Sequence, residues 1–401
     1  MGQEKDIAPL TGAPLAGLKV IEIGQIAAGP FAGMLLADLG ADVVKVEHPQ
    51  GGDGMRGWPP LLANEDGEVY SGNFASLNRN KRSIAIDLKD PQQRERLKQL
   101  CAKADVLLEN YRPGVLRRLG LGYDDLREIN PRLVYCSISG YGQTGPYAQK
   151  GAFDVTIQAI SGLMSVTGEE EGPPVKCGVP VADFVAGLYA AYTIVAAVRQ
   201  AERSGQGTYI DCSMLGSLLG ISALQTSEYY GTGRAPRRLG TAHPRNAPYQ
   251  GYMAKDRMFV LAAGNDKLWR SVCEVAGRPE LVDDERFATQ VARAKNQKEL
   301  TAILQPIFAT RTADEWLREL DERGVPCAPV NDFHDILHDP HVLGMGLIGE
   351  VRLPNGVTTP NVGFPVLMRH FTFSVYRHPP KLGEHQEEVF RDWLAQDAAP
   401  V

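Results

Sequence analysis

The first 140 residues predict an α/β domain built on a largely parallel sheet. Two observations carry this: short β-rich runs alternate with helical stretches, and glycines sit at the strand edges and turns. Lys19 to Ile23 reads as a strand, Phe31 to Leu39 as a helix and Asp42 to Val46 as the next strand. Ser83 to Ile86 is another strand, after which Asp90 caps a helix that has Pro91 in its first turn. Val106 to Leu108 and Leu133 to Ile138 complete the set, and Gly17, Gly24, Gly40 and Gly140 punctuate it. Phe184 to Arg203 reads as a long, mostly buried helix ending at Ser204 and Gly205, followed by a strand, Tyr209 to Cys212.

The texture changes near residue 225. Gly251 to Ala263 reads as a hairpin turning at Lys255 and Asp256, and helices then dominate. Thr312 with Glu315 forms a capping box for the helix ending near Gly324. Beyond 330 the chain is rich in Pro and Gly until a last helix at about His385 to Leu394. A chain of 401 residues exceeds one simple core. The expected division is a large domain, 1–224, completed by a tail, 331–401, and a smaller α+β domain, 225–330.

Composition narrows the function. The net charge of −6 argues against a nucleic-acid partner, while leaving room for a local basic pocket. Cys101, Cys136, Cys177, Cys212, Cys273 and Cys327 form no CxxC pair, so neither a disulfide framework nor a zinc site is suggested, and a reducing cytoplasm fits. Met1 to Asp6 is polar, with no signal-peptide core, and Asp6 stands where myristoylation wants Ser or Thr. The longest charge-free apolar run, Phe184 to Val198, is shorter than the roughly 20 residues a bilayer needs. A soluble protein, with no membrane partner, is expected.

Several constellations have both a chemical and a plain reading. Gly24, Ile26 and Gly29 lie between a strand and a helix, with Glu47 ending the next strand. A dinucleotide fingerprint would have glycine where Ile26 stands, and Pro30 intrudes, so a tight strand-to-helix turn is the simpler reading. A phosphate-bearing ligand near that helix start stays open. His334, His338 and His341 have helical spacing, but Pro340 interrupts it, and no metal is called for. No GxSxG elbow occurs. Asp183, in Pro180-Val181-Ala182-Asp183-Phe184, opens the long apolar helix. It reads as an N-cap. The physics also permits, without preferring, a carboxylate held ionised by the helix start, a nucleophile that needs no general base because its ordinary pKa is about 4.

Longer stretches settle the choice by resemblance. Leu15 to Glu22, Ala28-Gly29-Pro30 and Leu39 to Glu47 resemble the opening of the class III CoA-transferases, the family of formyl-CoA transferase and carnitine CoA-transferase. Asn78 to Ile84, Glu109 to Gly114, Ser139 to Gly142 and Leu382 to His385 continue the resemblance in family order. It implies a Rossmann-like large domain, an interlocked homodimer, and acyl-CoA with small carboxylic acids as substrates, without a permanently bound cofactor. Asp183 matches the family's catalytic aspartate, which forms a mixed anhydride and then a CoA thioester. The related 2-methylacyl-CoA racemases need a histidine where this chain has Phe153, which cannot shuttle a proton.

The resemblance further implies CoA contacts at Ile26, Ala27, His48, Ile86, Asp87, Lys89, Asn110, Tyr111, Arg112, Arg118, Phe153 and Asp154. Formyl-CoA transferases tend to carry arginine at the His48 position and lysine at Gly151, and this chain departs from both. Their polyglycine loop corresponds here to Gly240, Thr241, Ala242 and His243, whose N–H groups are expected to stabilise oxyanions. That stretch, with Gly140 to Pro146 and Gly162 to Met164, looks most like the succinyl-CoA:glutarate branch and bacterial dicarboxylate transferases. A dicarboxylate needs a second cationic or donor contact, for which Arg56, Arg238 and His243 are the candidates. An acyl-CoA racemase and an NAD-dependent oxidoreductase are the rival classes.

Overall fold

The computed structural model of the protein describes residues 12–394. The Met1 to Asp6 segment, on which the leader and lipidation readings rest, lies outside the described residues. The chain forms two compact units: one of residues up to 163, 176–234 and 341 onward, the other of 164–175 and 235–340. The divisions expected at 224 and 330 therefore shift. Helix Ala223–Thr232 stays with the first unit, and residues 331–340 stay with the second.

In the first unit, β1 (Lys19–Ile23), β2 (Asp42–Glu47), β3 (Lys81–Ala85), β4 (Val106–Glu109), β5 (Val134–Ser139) and β6 (Thr208–Ser213) form one sheet. All neighbours are parallel, in the order β3-β2-β1-β4-β5-β6. This is the doubly wound order, in which the chain changes direction between β1 and β4 and opens a crevice at their carboxyl ends. Successive strand residues face opposite layers. Val20, Val43, Val106 and Leu108 pack beneath α1 (Ala28–Asp38), α2 (Asp154–Ile160) and α3 (Val181–Ser204). Ile21, Val44 and Leu107 pack against helices Pro91–Cys101 and Gln386–Leu394.

Helix α3 starts after Pro180 and stops at Gly205, which adopts the left-handed conformation that ends many helices. Its 24 residues would suffice by length and composition to cross a membrane, more than the charge-free count over Phe184 to Val198 implied. Here Ala182, Ala186, Ala190 and Ile194 are buried in the core, with α1 alongside. Gly187 permits the close approach: a Cβ there would come within 2.9 Å of Phe31 and 3.0 Å of the Ala28 carbonyl.

The C-terminal segment returns to β3. His385 N–H donates to Ser83 O at 3.0 Å, Ala85 N–H donates to Gln386 at 2.8 Å, and Arg82 pairs with Glu388 and Asp392. In the second unit, β7 (Tyr249–Met253) and β8 (Met258–Ala262) form the expected hairpin, and β9 (Cys327–Pro329) joins it antiparallel. Phe259, Trp269, Phe308 and Trp316 fill its core. The capping box is present, Thr312 N–H donating to Glu315 at 2.9 Å.

Candidate active site

The chain leaves β1 through a turn whose backbone is fixed from two sides. Gln25 N–H donates to Asn110 Oδ1 at 2.8 Å, and Asn110 Nδ2 returns a bond to Gln25 O at 2.9 Å. Ile26 N–H donates to the carboxylate of Asp53 at 3.1 Å. Ile26 itself has a φ of +65°, a left-handed conformation that β-branched residues rarely adopt. The broken glycine fingerprint is therefore broken in residue type only; the backbone still takes the shape a glycine would give.

A cavity of about 400 Å³ opens at this switch point. Its walls are Gln25 to Ala28 after β1, Asn110 to Pro113 after β4, the end of β5, and the loop through Lys150 to Asp154. Asp183 faces it. Helix α1 holds this wall, since Phe31 packs on Phe184 with ring centroids 4.7 Å apart.

Asp183 is not the N-cap of α3. Pro180 holds that place, and Asp183 is the third helical residue. Its carboxylate accepts no hydrogen bond among the described residues. The expectation of a fully ionised group at the helix start also fails: burial, and then the charge of Asp154, push its pKa up to about 7. Asp154 is the better-held carboxylate. It accepts the Ala182 N–H at 2.7 Å and the Gln158 side-chain amide at 2.5 Å, so it caps the first turn of the helix that carries Asp183.

Among the residues singled out in the sequence, Ile26, Ala27, Asn110, Tyr111, Arg112, Phe153 and Asp154 line the cavity with Asp183. Phe153 is 78% exposed at the start of α2. His48, Ile86, Asp87 and Lys89 do not line it. Ile86 is buried in the core, and His48 lies 3.9 Å from Asp87, whose carboxylate accepts the Lys89 N–H. Arg118 borders a separate cavity of about 780 Å³ beside Glu109, whose pKa burial raises to about 7. Lys150 was not anticipated, yet it lines the cavity next to the Gly151 departure, its ammonium 3.7 Å from the Tyr147 ring centroid. Arg112 lies close by, 3.1 Å from where a Cβ at Gly151 would stand.

Two sets of expected substrate contacts are otherwise engaged. Arg56 grips Glu47 with both arms, at 2.8 and 2.6 Å, donates to Pro380 O and stacks 3.8 Å above Phe74. It is a structural arginine, because its fork already has a carboxylate. In the second unit the N–H groups of Gly240, Ala242 and His243 donate to Gly168, Leu239 and Tyr249 carbonyls, each at 3.0 Å. They are not available as oxyanion donors in this conformation. His243 Nδ1 accepts the N–H groups of Arg245 and Asn246 at 3.1 Å, and burial, then Arg245, lower its pKa. Arg238 donates to the carbonyls of Glu169 and Gly172, loop contacts that no sequence motif announces.

A doubly wound sheet with a cavity at its switch point, faced by a desolvated carboxylate that accepts no hydrogen bond among the described residues, is the framework of an α/β enzyme. Residues 15–386 match the CoA-transferase family III model, and the chain belongs to that family of enzymes. It is 41% identical over 381 residues to the succinate–glutarate CoA-transferase of Agrobacterium fabrum, covering 94% of this chain and 95% of that one. It is 40% identical to the succinyl-CoA:glutarate CoA-transferase of Homo sapiens, covering 96% of this chain and 87% of that one. Among solved structures, a CAIB/BAIF family protein from Brucella suis superposes with a TM-score of 0.85 at 39% identity, covering 96% of this chain and all of the other.

Proposed function

We propose that this CoA-transferase moves CoA from succinyl-CoA to a small dicarboxylic acid, with Asp183 as the nucleophile. The observation that carries the reading is the Asp183 carboxylate, partly desolvated and without a hydrogen bond among the described residues, facing the switch-point cavity. Ionised Asp183 attacks the thioester carbonyl; the C–S bond breaks and CoA leaves as its thiolate. The thiolate attacks the Asp183 carbonyl of the anhydride, releasing succinate and leaving an aspartyl-CoA thioester. The acceptor carboxylate attacks that thioester, and the expelled thiolate attacks the acceptor's acyl carbon, which returns the Asp183 carboxylate. No net proton, metal or redox partner enters the balance.

Arg112 and Lys150 are the cations bordering this cavity, so they are assigned to the diphosphate of CoA or to the substrate's charged end. Arg56 is not free to meet the second carboxylate of the acceptor, because its fork already holds Glu47. Support for a dicarboxylate comes from the relatives, which act on glutarate and succinate by name. The exposed apolar side chains Leu188, Tyr192, Leu224 and Tyr230 support a homodimer. Light scattering on the purified protein tests that assignment.

Succinyl-CoA presented with a panel of carboxylates, with products read by mass spectrometry, tests the reaction. Transfer to dicarboxylates ahead of butyrate is expected. Hydroxylamine added during turnover should leave a hydroxamate on Asp183; a hydroxamate on another carboxylate, or an active Asp183→Ala enzyme, removes Asp183 from the role.

A further inference from the structure

Ile26 raises a question that the reaction itself does not answer: what keeps a β-branched residue in a left-handed conformation on the wall of the cavity. Directly behind it lies a set of buried charges. Lys45 Nζ is 3.0 Å from Glu22, 2.9 Å from Asp53 and donates to Gly24 O at 2.8 Å. Lys81 Nζ is 2.7 Å from the other oxygen of Glu22 and donates to Pro30 O at 2.8 Å. Glu22, Lys45 and Lys81 are fully buried, and Asp53 is 1% exposed. The two cations and two anions balance. The contacts also bracket the turn: Lys45 holds the carbonyl before it, Asp53 holds the N–H of Ile26 within it, and Lys81 holds a carbonyl in the first turn of α1 after it.

The network's geometry is specific. A Cβ at Gly33 would stand 1.9 Å from Glu22, so α1 carries a glycine where the glutamate approaches. Burial alone would raise the pKa of Asp53, but Lys45 and the N–H groups of Met55 and Ile26 outweigh it and hold the carboxylate ionised. The Ile26 N–H therefore has a permanently charged acceptor, the strongest kind available to a backbone donor. A left-handed β-branched residue persists only where its surroundings over-determine it. Removing the acceptor lets the turn relax, and Ile26 and Ala27 then shift relative to Asp183 across the same cavity.

We propose that Asp53, held by Lys45, is a positioning residue for the transfer reaction, acting through the strained Ile26 turn rather than by touching substrate. This rests on the assignment of the Asp183 cavity as the transfer site. Its signature is a dependence on the side chain at position 26, because a glycine takes the left-handed conformation without strain and needs no clamp.

The experiment is a double-mutant cycle on the full chain with succinyl-CoA and glutarate. Asp53→Ala alone is expected to lower kcat on the order of 10- to 100-fold, with a smaller change in KM for glutarate. In the Ile26→Gly background the same substitution is expected to lower kcat by no more than about threefold. Equal losses in both backgrounds overturn the proposal and make Asp53 a general support of the fold, as does a loss confined to KM. Circular dichroism identifies a variant that fails to fold. In that event Asp53→Asn, which keeps an oxygen but loses the charge facing Lys45, replaces Asp53→Ala in the cycle under the same two criteria. A wild-type enzyme that turns over normally without forming an adduct at Asp183 refutes the site assignment instead, so the two failures are distinguishable.

Discussion

Replacing Asp183 by asparagine should remove activity and yet stabilise the protein at alkaline pH. The pKa of the carboxyl is pushed up from the ordinary 3.8 to about 7 in the fold, because burial and then Asp154 disfavour its charged form. Between these values the folded chain holds a proton that the unfolded chain has lost, so stability falls as pH rises from about 4 to about 7. Each pKa unit is worth about 1.36 kcal/mol, which makes the ionised carboxylate cost the folded state up to about 4 kcal/mol above pH 8. Solvent relaxation around a partly exposed group lowers this, and about 2–3 kcal/mol is the expected gain for Asp183→Asn at pH 8. Below pH 4 the acid and the amide are both neutral, and the gain should vanish. Melting curves of wild type and variant from pH 4 to pH 9 read this out as a Tm difference growing to roughly 2–4 °C. A difference that does not change with pH, or a wild type more stable than the variant at pH 8, refutes the reasoning. The same titration should appear in catalysis, with kcat/KM rising through pH 7 to a plateau as the nucleophile ionises.

Gly187→Ala should separate α1 from α3, because the new methyl meets the Ala28 carbonyl at 3.0 Å, and should lower both Tm and kcat. Gly178→Ala, where a Cβ has open space, is the matched control for Tm. Arg112→Ala and Lys150→Ala should each raise KM for succinyl-CoA about tenfold or more, with little change in Tm; unchanged KM in both places the CoA diphosphate elsewhere. In deuterated water the wild type should exchange no α-proton of a 2-methylacyl-CoA, since Phe153 offers no base; rapid exchange seen by mass spectrometry would add isomerase chemistry to the site.

The sheet was legible because its strands are short apolar runs bounded by glycine and charge, and each of β1 to β6 falls within two residues of where the pattern places it. Asp183 was legible as a residue but not in its state. The sequence shows a carboxylate at a helix start, which favours ionisation; it does not show Asp154 taking the Ala182 N–H and adding its own charge beside Asp183. Arg56 illustrates the opposite error. An arginine near a strand end looks free until Glu47, at the end of β2, is seen to fill its fork. The Gly240, Ala242 and His243 N–H groups failed for the same reason, their acceptors being the carbonyls of Gly168, Leu239 and Tyr249. Lys150 left only a faint trace, a lysine one residue before the position where resemblance led to Gly151.

The return of the C-terminal segment to β3 has a consequence for synthesis. Strand β3 is an edge of the parallel sheet, and Ser83 and Ala85 find their partners in His385 and Gln386, about three hundred residues later. While the ribosome is still adding residues, that edge has unsatisfied backbone groups and Arg82 lacks Glu388 and Asp392. Residues 235–340, by contrast, hold their own hairpin and helices and emerge as one continuous stretch. The later-made unit should thus become protease-resistant on a stalled nascent chain first, and the earlier-made one only after release, an order that pulse proteolysis of arrested chains would reveal.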